Sequence, residues 1–335
     1  MTTVAWLYHQ SDVNQSQIAS RLGISQSQVS RLLESAVEAG IVRTQVVVPP
    51  GLHTDLEQRL ADRFGLQSAY VFDATAPDDE RAILRDLGEM FAARLLAEPI
   101  AATMIGFTSW SRSLEAAVRA LSPGAITGAQ IVVELLGDVG TPQVQHQAAQ
   151  LTERLGGVTG AEPRFLRVPG VVPSPEARQM LVELDPQVDE VLELHEHVDL
   201  ALVGIGSCYV VPPLQAGRNF FTEQDFARAR DLGAVAEINL RFIAEDGSPV
   251  DSDLDRQVVG FQLHQLRRAA TSIALAGGPS KRAAMRAVLR GGWVTRLVTD
   301  AVSAQDLLSG PPDENTGRGR PTGHRSIRSS TSTLP

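Results

Sequence analysis

The sequence is poor in cysteine and in long apolar runs. Cys208 is the single cysteine among 335 residues, so no internal disulfide framework is possible and a reducing compartment is expected. The N-terminal segment, residues 1–10, lacks a basic stretch followed by an apolar one, so no signal peptide is predicted. No apolar run approaches the roughly 18 residues that span a bilayer. These absences predict a cytoplasmic protein with no membrane partner.

Lysine is as scarce as cysteine. Lysine and arginine total 30, and Lys281 is the only lysine. A compact ammonium suits a phosphate or a carbonyl where a guanidinium does not, so Lys281 is a candidate ligand-binding residue, with chance retention as the alternative. The net charge of −9 argues against a general nucleic-acid coat protein. It still allows a sequence-specific DNA reader with a small contact surface.

Length and composition predict two folded domains followed by a tail. A chain of 335 residues with 43% hydrophobic residues exceeds one ordinary domain and can bury a core. The Pro-Pro-Gly sequence at 49–51 follows a predicted strand, residues 44–48, and indicates a boundary. The last segment is rich in Gly, Ser, Thr, Pro and Arg, which favours disorder. The expected parts are residues 1–50, residues 51–310 and a disordered tail, residues 311–335.

The segment 14–33, NQSQIASRLGISQSQVSRLL, carries the strongest local signal. Asn14 and Ser25 can each cap a helix, and a glutamine stands three residues after each of them. Gly23 permits the left-handed turn that a tight corner between two helices needs. This pattern predicts a helix-turn-helix, with a helical bundle that does not bind DNA as the alternative. The residues expected between the helices are Ile18, Leu22, Ile24, Val29 and Leu32.

In a helix-turn-helix the second helix enters the major groove of DNA. Glutamine can pair with adenine and arginine with guanine, while serine can hold phosphates. Acidic and basic residues balance over residues 1–45, so a single copy should bind DNA weakly. We therefore expect a homo-oligomer, a dimer or a tetramer, on double-stranded operator DNA. The candidate DNA-binding residues are Gln26, Ser27, Gln28, Ser30 and Arg31.

Further along the chain, short apolar runs alternate with amphipathic patterns. This alternation predicts an α/β fold with a largely parallel sheet covered on both faces, and ligands of such folds bind at the carboxyl ends of the strands. The predicted strands are residues 68–72, 103–107, 131–136, 200–205, 272–276 and 296–298. The predicted helices are residues 52–64, 78–97, 112–121, 143–155, 175–181 and 281–290.

Three loops that follow predicted strands are suited to an anionic ligand. The segment 105–114, IGFTSWSRSL, joins a strand, a hydroxyl-rich turn and a helix N-terminus, which favours phosphate; a plain helix cap is the alternative. The segment 276–281, AGGPSK, combines two glycines with the only lysine, and 202–207, LVGIGS, ends a third strand in glycines. The candidate ligand-binding residues here are Gly106, Thr108, Ser109, Ser111, Arg112, Gly204, Gly206, Gly277, Gly278 and Lys281.

These segments together resemble the SorC family of sugar-responsive bacterial regulators, over nearly all of residues 1–310. The resemblance implies a small winged-type helix-turn-helix and a large Rossmann-like, isomerase-like effector domain that binds a phosphorylated sugar or polyol. The 105–114 loop is similar to the family's phosphate loop, although Ser111 stands where glycine is commoner. By the same resemblance Lys281 contacts the phosphate. The segment 233–238 resembles an element whose acidic residue, here Glu237, meets sugar hydroxyls; a solvated glutamate is the alternative.

The relation to isomerases leaves an enzyme as the alternative class. No general-base set accompanies the two phosphate-type loops, and no nucleophile, histidine and acid are arranged for covalent catalysis. His195 and His197 stand two residues apart and would not share a helix face, so neither a metal site nor a cofactor is expected. We therefore expect a transcriptional regulator of carbohydrate or polyol catabolism rather than an enzyme.

Overall fold

The computed structural model of the protein describes residues 1–11, 13–42, 53–210 and 214–309. The chain divides into two units, Met1–Pro50 and Gly51–Pro335. The predicted strand at 44–48, the wing that it would supply and the predicted tail all lie outside the described residues.

Three helices form the first unit: α1 (Thr2–His9), α2 (Gln15–Leu22) and α3 (Gln26–Glu38). The side chain of Asn14 accepts a hydrogen bond from the backbone N–H of Gln17 at 3.0 Å, which begins α2. Gly23 ends α2 with φ +67°. Ser25 then caps α3 in a reciprocal capping box with Gln28. The caps that the sequence predicted therefore set the boundaries of the helix-turn-helix.

The core of this unit lies where the three helices meet. Ile18 and Val29 are fully buried, while Ile24 and Leu32 are half-buried. The prediction for Leu22 is wrong, because 41% of this residue is exposed. Leu22 is the last residue of α2, and the chain turns at Gly23 before α3 can cover its side chain. The other buried apolar residues are Val4, Ala5, Val13, Leu33 and Ala36.

The second unit contains a seven-stranded sheet in which every pair of neighbouring strands is parallel. Its helices are α4 (Thr54–Phe64), α5 (Glu80–Ala97), α6 (Arg112–Ala120), α7 (Pro142–Thr159), α8 (Pro175–Leu184), α9 (Pro186–Leu194), α10 (Glu223–Asp231), α11 (Leu263–Arg268), α12 (Arg282–Arg290) and α13 (Ala301–Ser309). Its strands are β1 (Ser68–Phe72), β2 (Ile100–Ala101), β3 (Met104–Phe107), β4 (Ile126–Thr127), β5 (Ile131–Glu134), β6 (Glu162–Arg164), β7 (Leu200–Gly204), β8 (Ala234–Ile238), β9 (Arg241–Ala244), β10 (Thr271–Leu275) and β11 (Arg296–Asp300).

The strand order is β1-β11-β10-β7-β3-β5-β6. From β3 the chain continues to β5 and β6 on one side, and from β7 it continues to β10 and β11 on the other. The order therefore reverses between β3 and β7, and such a switch point is where open α/β sheets bind ligands. Two smaller pairs, β2 with β4 and β8 with β9, lie outside the main sheet.

Helices cover both faces of the main sheet. Along β7, Leu200 and Leu202 pack into one apolar cluster and Ala201 and Val203 into the other, as the two-residue period of a strand requires. Helices α5 and α6 lie on the first face, and α4, α12 and α13 lie on the second. The α/β fold with a large parallel sheet is thus confirmed. In the part of the chain that the structure describes, no helix has the length and apolar character to cross a bilayer.

Candidate functional site

A cleft lies beside the carboxyl ends of β3, β7 and β10. These three strands are neighbours in the sheet, so the loops that follow them meet at the switch point. Small ligands of open α/β sheets bind in clefts at this place. One wall is apolar and comes from Ile83, Leu84 and Leu87 of α5 and from Leu275 of β10. The rest of the lining combines polar side chains with Trp110, Ile205, Leu214 and Ala276.

The loop after β3 brings the N-terminus of α6 to the cleft. Ser111 is the N-cap residue of α6, and its Oγ lies 3.1 Å from the Oγ of Ser113. A Cβ on Gly204 would lie only 2.5 Å from Ser111 Oγ, so glycine at the end of β7 allows this close approach. The positive end of the α6 dipole and two hydroxyls therefore face one side of the cleft, an arrangement that suits an anion.

The loop after β10 is held in place by a buried carboxylate. Asp300 accepts a hydrogen bond from the backbone N–H of Gly278 at 2.8 Å, and Ser303 Oγ accepts from the same N–H at 3.1 Å. A Cβ on Gly277 would lie 2.6 Å from Asp300 Oδ2. The two glycines therefore let the loop pack against the start of α13, and this position brings Gly277 and Lys281 to the cleft.

Lys281 is half-buried, and within the described ranges its ammonium group makes no hydrogen bond or ion pair. Burial lowers the pKa of Lys281, and the carboxylate of Glu237 opposes this effect. Burial also raises the pKa of Glu237, opposed by a hydrogen bond from Leu240 and by the charge of Lys281. The cleft thus places a cation and an acid near each other in a poorly hydrated setting, where a ligand can engage both.

Glu237 belongs to an antiparallel hairpin of β8 and β9 that the sequence analysis did not predict. It is only 6% exposed, so the interpretation as a solvated glutamate is wrong. Its Oε2 accepts a hydrogen bond from the backbone N–H of Leu240 at 2.7 Å. Its backbone pairs with Gly206 through two hydrogen bonds of 2.9 and 3.0 Å. This bridge joins the hairpin to the loop after β7 and fixes the carboxylate at the cleft.

Several lining residues were missed by the sequence analysis. Asn239 lies at the tip of the β8–β9 hairpin, and Trp110 lies between two predicted serines. The segment 78–97 was predicted only as a helix, so the apolar wall that α5 gives the cleft was not foreseen. Asparagine is favoured at left-handed turn positions, and that preference could have indicated the hairpin tip; its place at the cleft follows from tertiary contacts alone.

Three predicted ligand-binding residues do not line the cleft. Gly106 lies inside β3, where a Cβ would be 2.7 Å from Leu135 Cδ2 and 2.9 Å from Val198 Cγ1, so its glycine serves packing. Ser109 lines an adjoining groove between α6 and α7, which shares Ser111 and Arg112 with the cleft. Gly278 points its N–H toward Asp300. Arg112 does line the cleft, but its guanidinium donates to Glu80 at 2.8 Å.

In the helix-turn-helix, Gln26, Ser27, Gln28 and Arg31 are exposed and Ser30 is half-buried. The side-chain oxygen of Gln28 accepts from the N–H of Ser25 at 3.0 Å, so this residue is engaged in the cap. Arg31 Nε donates to the backbone oxygen of Ser27 at 3.3 Å. The exposed edge of α3 therefore carries polar side chains that are suited to a DNA groove.

The two histidines considered for a metal site lie apart from the cleft. His195 is buried, and its Nε2 donates to the backbone oxygen of Glu134 at 2.8 Å. Burial lowers the pKa of His195 to about 4. Across the described residues, no cluster of three or more His, Cys, Asp or Glu side chains is arranged to hold a metal ion.

A helix-turn-helix joined in one chain to an α/β domain with a cleft at its switch point defines a DNA-binding regulator that responds to a small ligand. Comparison with known proteins gives the family. Residues 49–309 match the family described as "Putative sugar-binding domain", and residues 1–49 match the MarR family. The chain belongs to the SorC family of transcriptional regulators, and its relatives are regulators rather than enzymes.

Three relatives illustrate the similarity. The deoxyribonucleoside regulator of Bacillus subtilis (strain 168) is 29% identical over 305 residues, which cover 91% of this chain and 96% of that protein. The sorbitol operon regulator of Klebsiella pneumoniae is 29% identical over 311 residues, with coverages of 91% and 96%. The crystal structure of full-length SorC from Klebsiella pneumoniae is 25% identical, with a TM-score of 0.67, and the match covers 92% of this chain and 97% of that chain.

Proposed function

We propose that the cleft binds a small phosphorylated sugar or polyol, and that this effector controls the binding of the protein to operator DNA. The observation that carries the proposal is the convergence of an anion-type helix N-terminus, two glycine-containing loops and the Lys281 ammonium on one cleft. Relatives named for sorbitol and deoxyribonucleosides support a carbohydrate-like effector.

The residues divide into two groups by charge. Ser111, Ser113 and Lys281 favour an anion, so they are assigned to the phosphate. Glu237 is a carboxylate, which accepts hydrogen bonds from hydroxyl groups and repels phosphate, so it is assigned to the sugar. Thr108, Arg112, Gly204, Gly206 and Gly277 also line the cleft. Residues 51–310 form the effector domain in this proposal.

Residues 1–50 form the DNA-reading domain. Gln26, Ser27, Ser30 and Arg31 on α3 contact the operator, and Gln28 chiefly holds the start of the helix. The protein acts in the cytoplasm as a dimer or tetramer, because operators usually mirror protein symmetry and acidic and basic residues balance in residues 1–45 of one copy. Effector binding shifts the oligomer between states in which the distance between its DNA-binding domains differs.

The test is isothermal titration calorimetry of the full chain with fructose 6-phosphate, ribose 5-phosphate, 2-deoxyribose 5-phosphate and sorbitol 6-phosphate. Loss of a charged hydrogen bond costs about 1.5–3 kcal/mol, so Lys281→Ala should weaken binding of the best compound by roughly 10- to 100-fold. Arg59→Ala, which removes an exposed cation paired with Asp55 on α4, is the matched control and should bind normally. Absence of binding by all four compounds would contradict the proposal, as would unchanged affinity in Lys281→Ala.

A further inference from the structure

Asn239 lies beside the cleft, in a turn whose second residue is strained. It and Leu240 form the two-residue turn between β8 and β9, with φ values of +51° and +61°. Left-handed backbone is costly for leucine, which has a branched side chain and no local hydrogen bond to offset the strain. The turn is held by the hydrogen bond from the Leu240 N–H to Glu237 and by the complete burial of Leu240. Backbone strain that is maintained by surrounding contacts often occurs at functional positions.

The side-chain amide of Asn239 is only half satisfied. The residue is 2% exposed and lines the cleft. Its Oδ1 accepts a hydrogen bond from the Thr108 hydroxyl at 2.7 Å, which fixes the orientation of the amide. Its Nδ2 is buried and has no hydrogen-bond partner among the residues that the structure describes. Buried polar groups are nearly always paired, so an unpaired donor at a ligand cleft indicates that the ligand supplies the acceptor.

We propose that Asn239 Nδ2 donates a hydrogen bond to a hydroxyl or carbonyl oxygen of the effector's sugar portion, and so distinguishes sugar phosphates from inorganic phosphate. This inference rests on the proposed function. It adds a specificity-determining residue on the hairpin to the phosphate-binding loops on the sheet.

The surroundings of Asn239 favour a neutral sugar oxygen over a phosphate oxygen. Glu237 lies two residues away on the same hairpin, and its carboxylate is anchored to the Leu240 N–H. A phosphate beside this carboxylate would meet a like charge at low hydration. A sugar avoids the repulsion, because one of its hydroxyls can donate to Glu237 while another oxygen accepts from Asn239. The carboxylate can therefore accept a hydrogen bond from one sugar hydroxyl, while the amide donates a hydrogen bond to a neighbouring sugar oxygen.

Asparagine also suits a left-handed turn for purely local reasons, so the test must separate the turn from the amide. Asn239→Gly keeps the turn, since glycine adopts positive φ without strain, and removes the amide. Asn239→Asp keeps the turn and the acceptor for Thr108 but cannot donate from the side chain when ionised. Both variants should fold, and their melting temperatures without ligand verify this.

The experiment compares two probes by calorimetry on the full chain: inorganic phosphate, and whichever of the four sugar or polyol phosphates binds the wild-type protein most tightly. Asn239→Gly should weaken the binding of the sugar phosphate by about 5- to 10-fold, the range expected for one lost hydrogen bond. It should leave the affinity for inorganic phosphate unchanged. Asn239→Asp should weaken the binding of the sugar phosphate at least as much. Lys281→Ala should weaken the binding of both probes.

Two results would overturn the inference while the proposed function stands. One is wild-type affinity of Asn239→Gly for the sugar phosphate. The other is an equal loss for both probes in Asn239→Gly, which would indicate a general distortion of the cleft. If the wild-type protein binds none of the sugar phosphates more tightly than inorganic phosphate, the proposed function itself fails, and the inference fails with it.

Discussion

Replacement of Gly206 by alanine should disrupt both the stability of the effector domain and its cleft. A Cβ at this position would lie 1.7 Å from Glu237 Oε1 and 2.5 Å from its Cδ. The backbones of the two residues cannot separate easily, because two hydrogen bonds of 2.9 and 3.0 Å join them. The buried carboxylate must therefore move.

The cost follows from what the carboxylate does. When Glu237 moves, it loses the 2.7 Å hydrogen bond from the Leu240 N–H, and a bond to a charged group contributes about 1.5–3 kcal/mol. The strained turn at Leu240 loses its anchor at the same time. We expect Gly206→Ala to lower the free energy of unfolding by about 2–3 kcal/mol. For a domain of this size that corresponds to a melting temperature lower by roughly 4–12 °C.

The assay is thermal unfolding followed by circular dichroism, with Gly157→Ala as the matched control. Gly157 is exposed within α7, and no described atom lies within 4 Å of its added Cβ, so alanine there should be neutral or stabilising by up to about 1 kcal/mol. Combining Gly206→Ala with Glu237→Ala should cost less than the sum of the two single changes, because the methyl group then has room. An unchanged melting temperature in Gly206→Ala, or strict additivity in the double variant, would refute the reasoning.

Two further predictions concern other parts of the chain. Burial holds the pKa of His195 at about 4, against 6.5 for the free side chain. Below pH 6.5 the unfolded chain therefore binds a proton that the folded chain does not, and the free energy of unfolding should fall by up to roughly 3 kcal/mol as the pH drops toward 4. Urea unfolding at pH 7 and pH 5 should show a smaller loss in His195→Gln, and an equal loss would contradict this account. In the helix-turn-helix, Gln26→Ala and Arg31→Ala should each weaken binding to an operator selected by the wild-type protein by about 1–3 kcal/mol. Fluorescence anisotropy should show a smaller effect for Arg21→Ala on α2, and an effect of equal size there would argue against α3 as the reading helix.

Local chemistry was sufficient to predict the helix-turn-helix. Asn14, Gly23 and Ser25 act through hydrogen bonds and backbone angles that involve residues at most four positions away, so the printed sequence contains the whole signal. The burial of Leu22 was predicted wrongly for the complementary reason. Whether a side chain at a helix end is covered depends on where the next helix crosses, and this is not a local property.

Six of the seven strands of the main sheet and two of the cleft loops were also predictable. Apolar runs such as Leu200–Gly204 indicate buried strands, and parallel strands bring their carboxyl ends to one edge of the sheet. The loops carrying Ser111 and Lys281 were therefore expected to meet before their neighbours in the sheet were known. The SorC resemblance pointed to the same loops and was confirmed by the family match over residues 49–309.

The sequence by itself thus determined the helix caps, the alternation of strands and helices, and the glycine- and hydroxyl-containing loops that follow the strands, because each depends on short-range periodicity or backbone chemistry. Only the tertiary structure decided that Gly106 faces the core, that Glu237 is buried against Gly206, and that the amide of Asn239 lies at the cleft. Those outcomes depend on which distant segments pack together, since the β8–β9 hairpin reaches the sheet from some thirty residues beyond β7. Contacts over such separations are set by the packing of the whole domain, which no local pattern records.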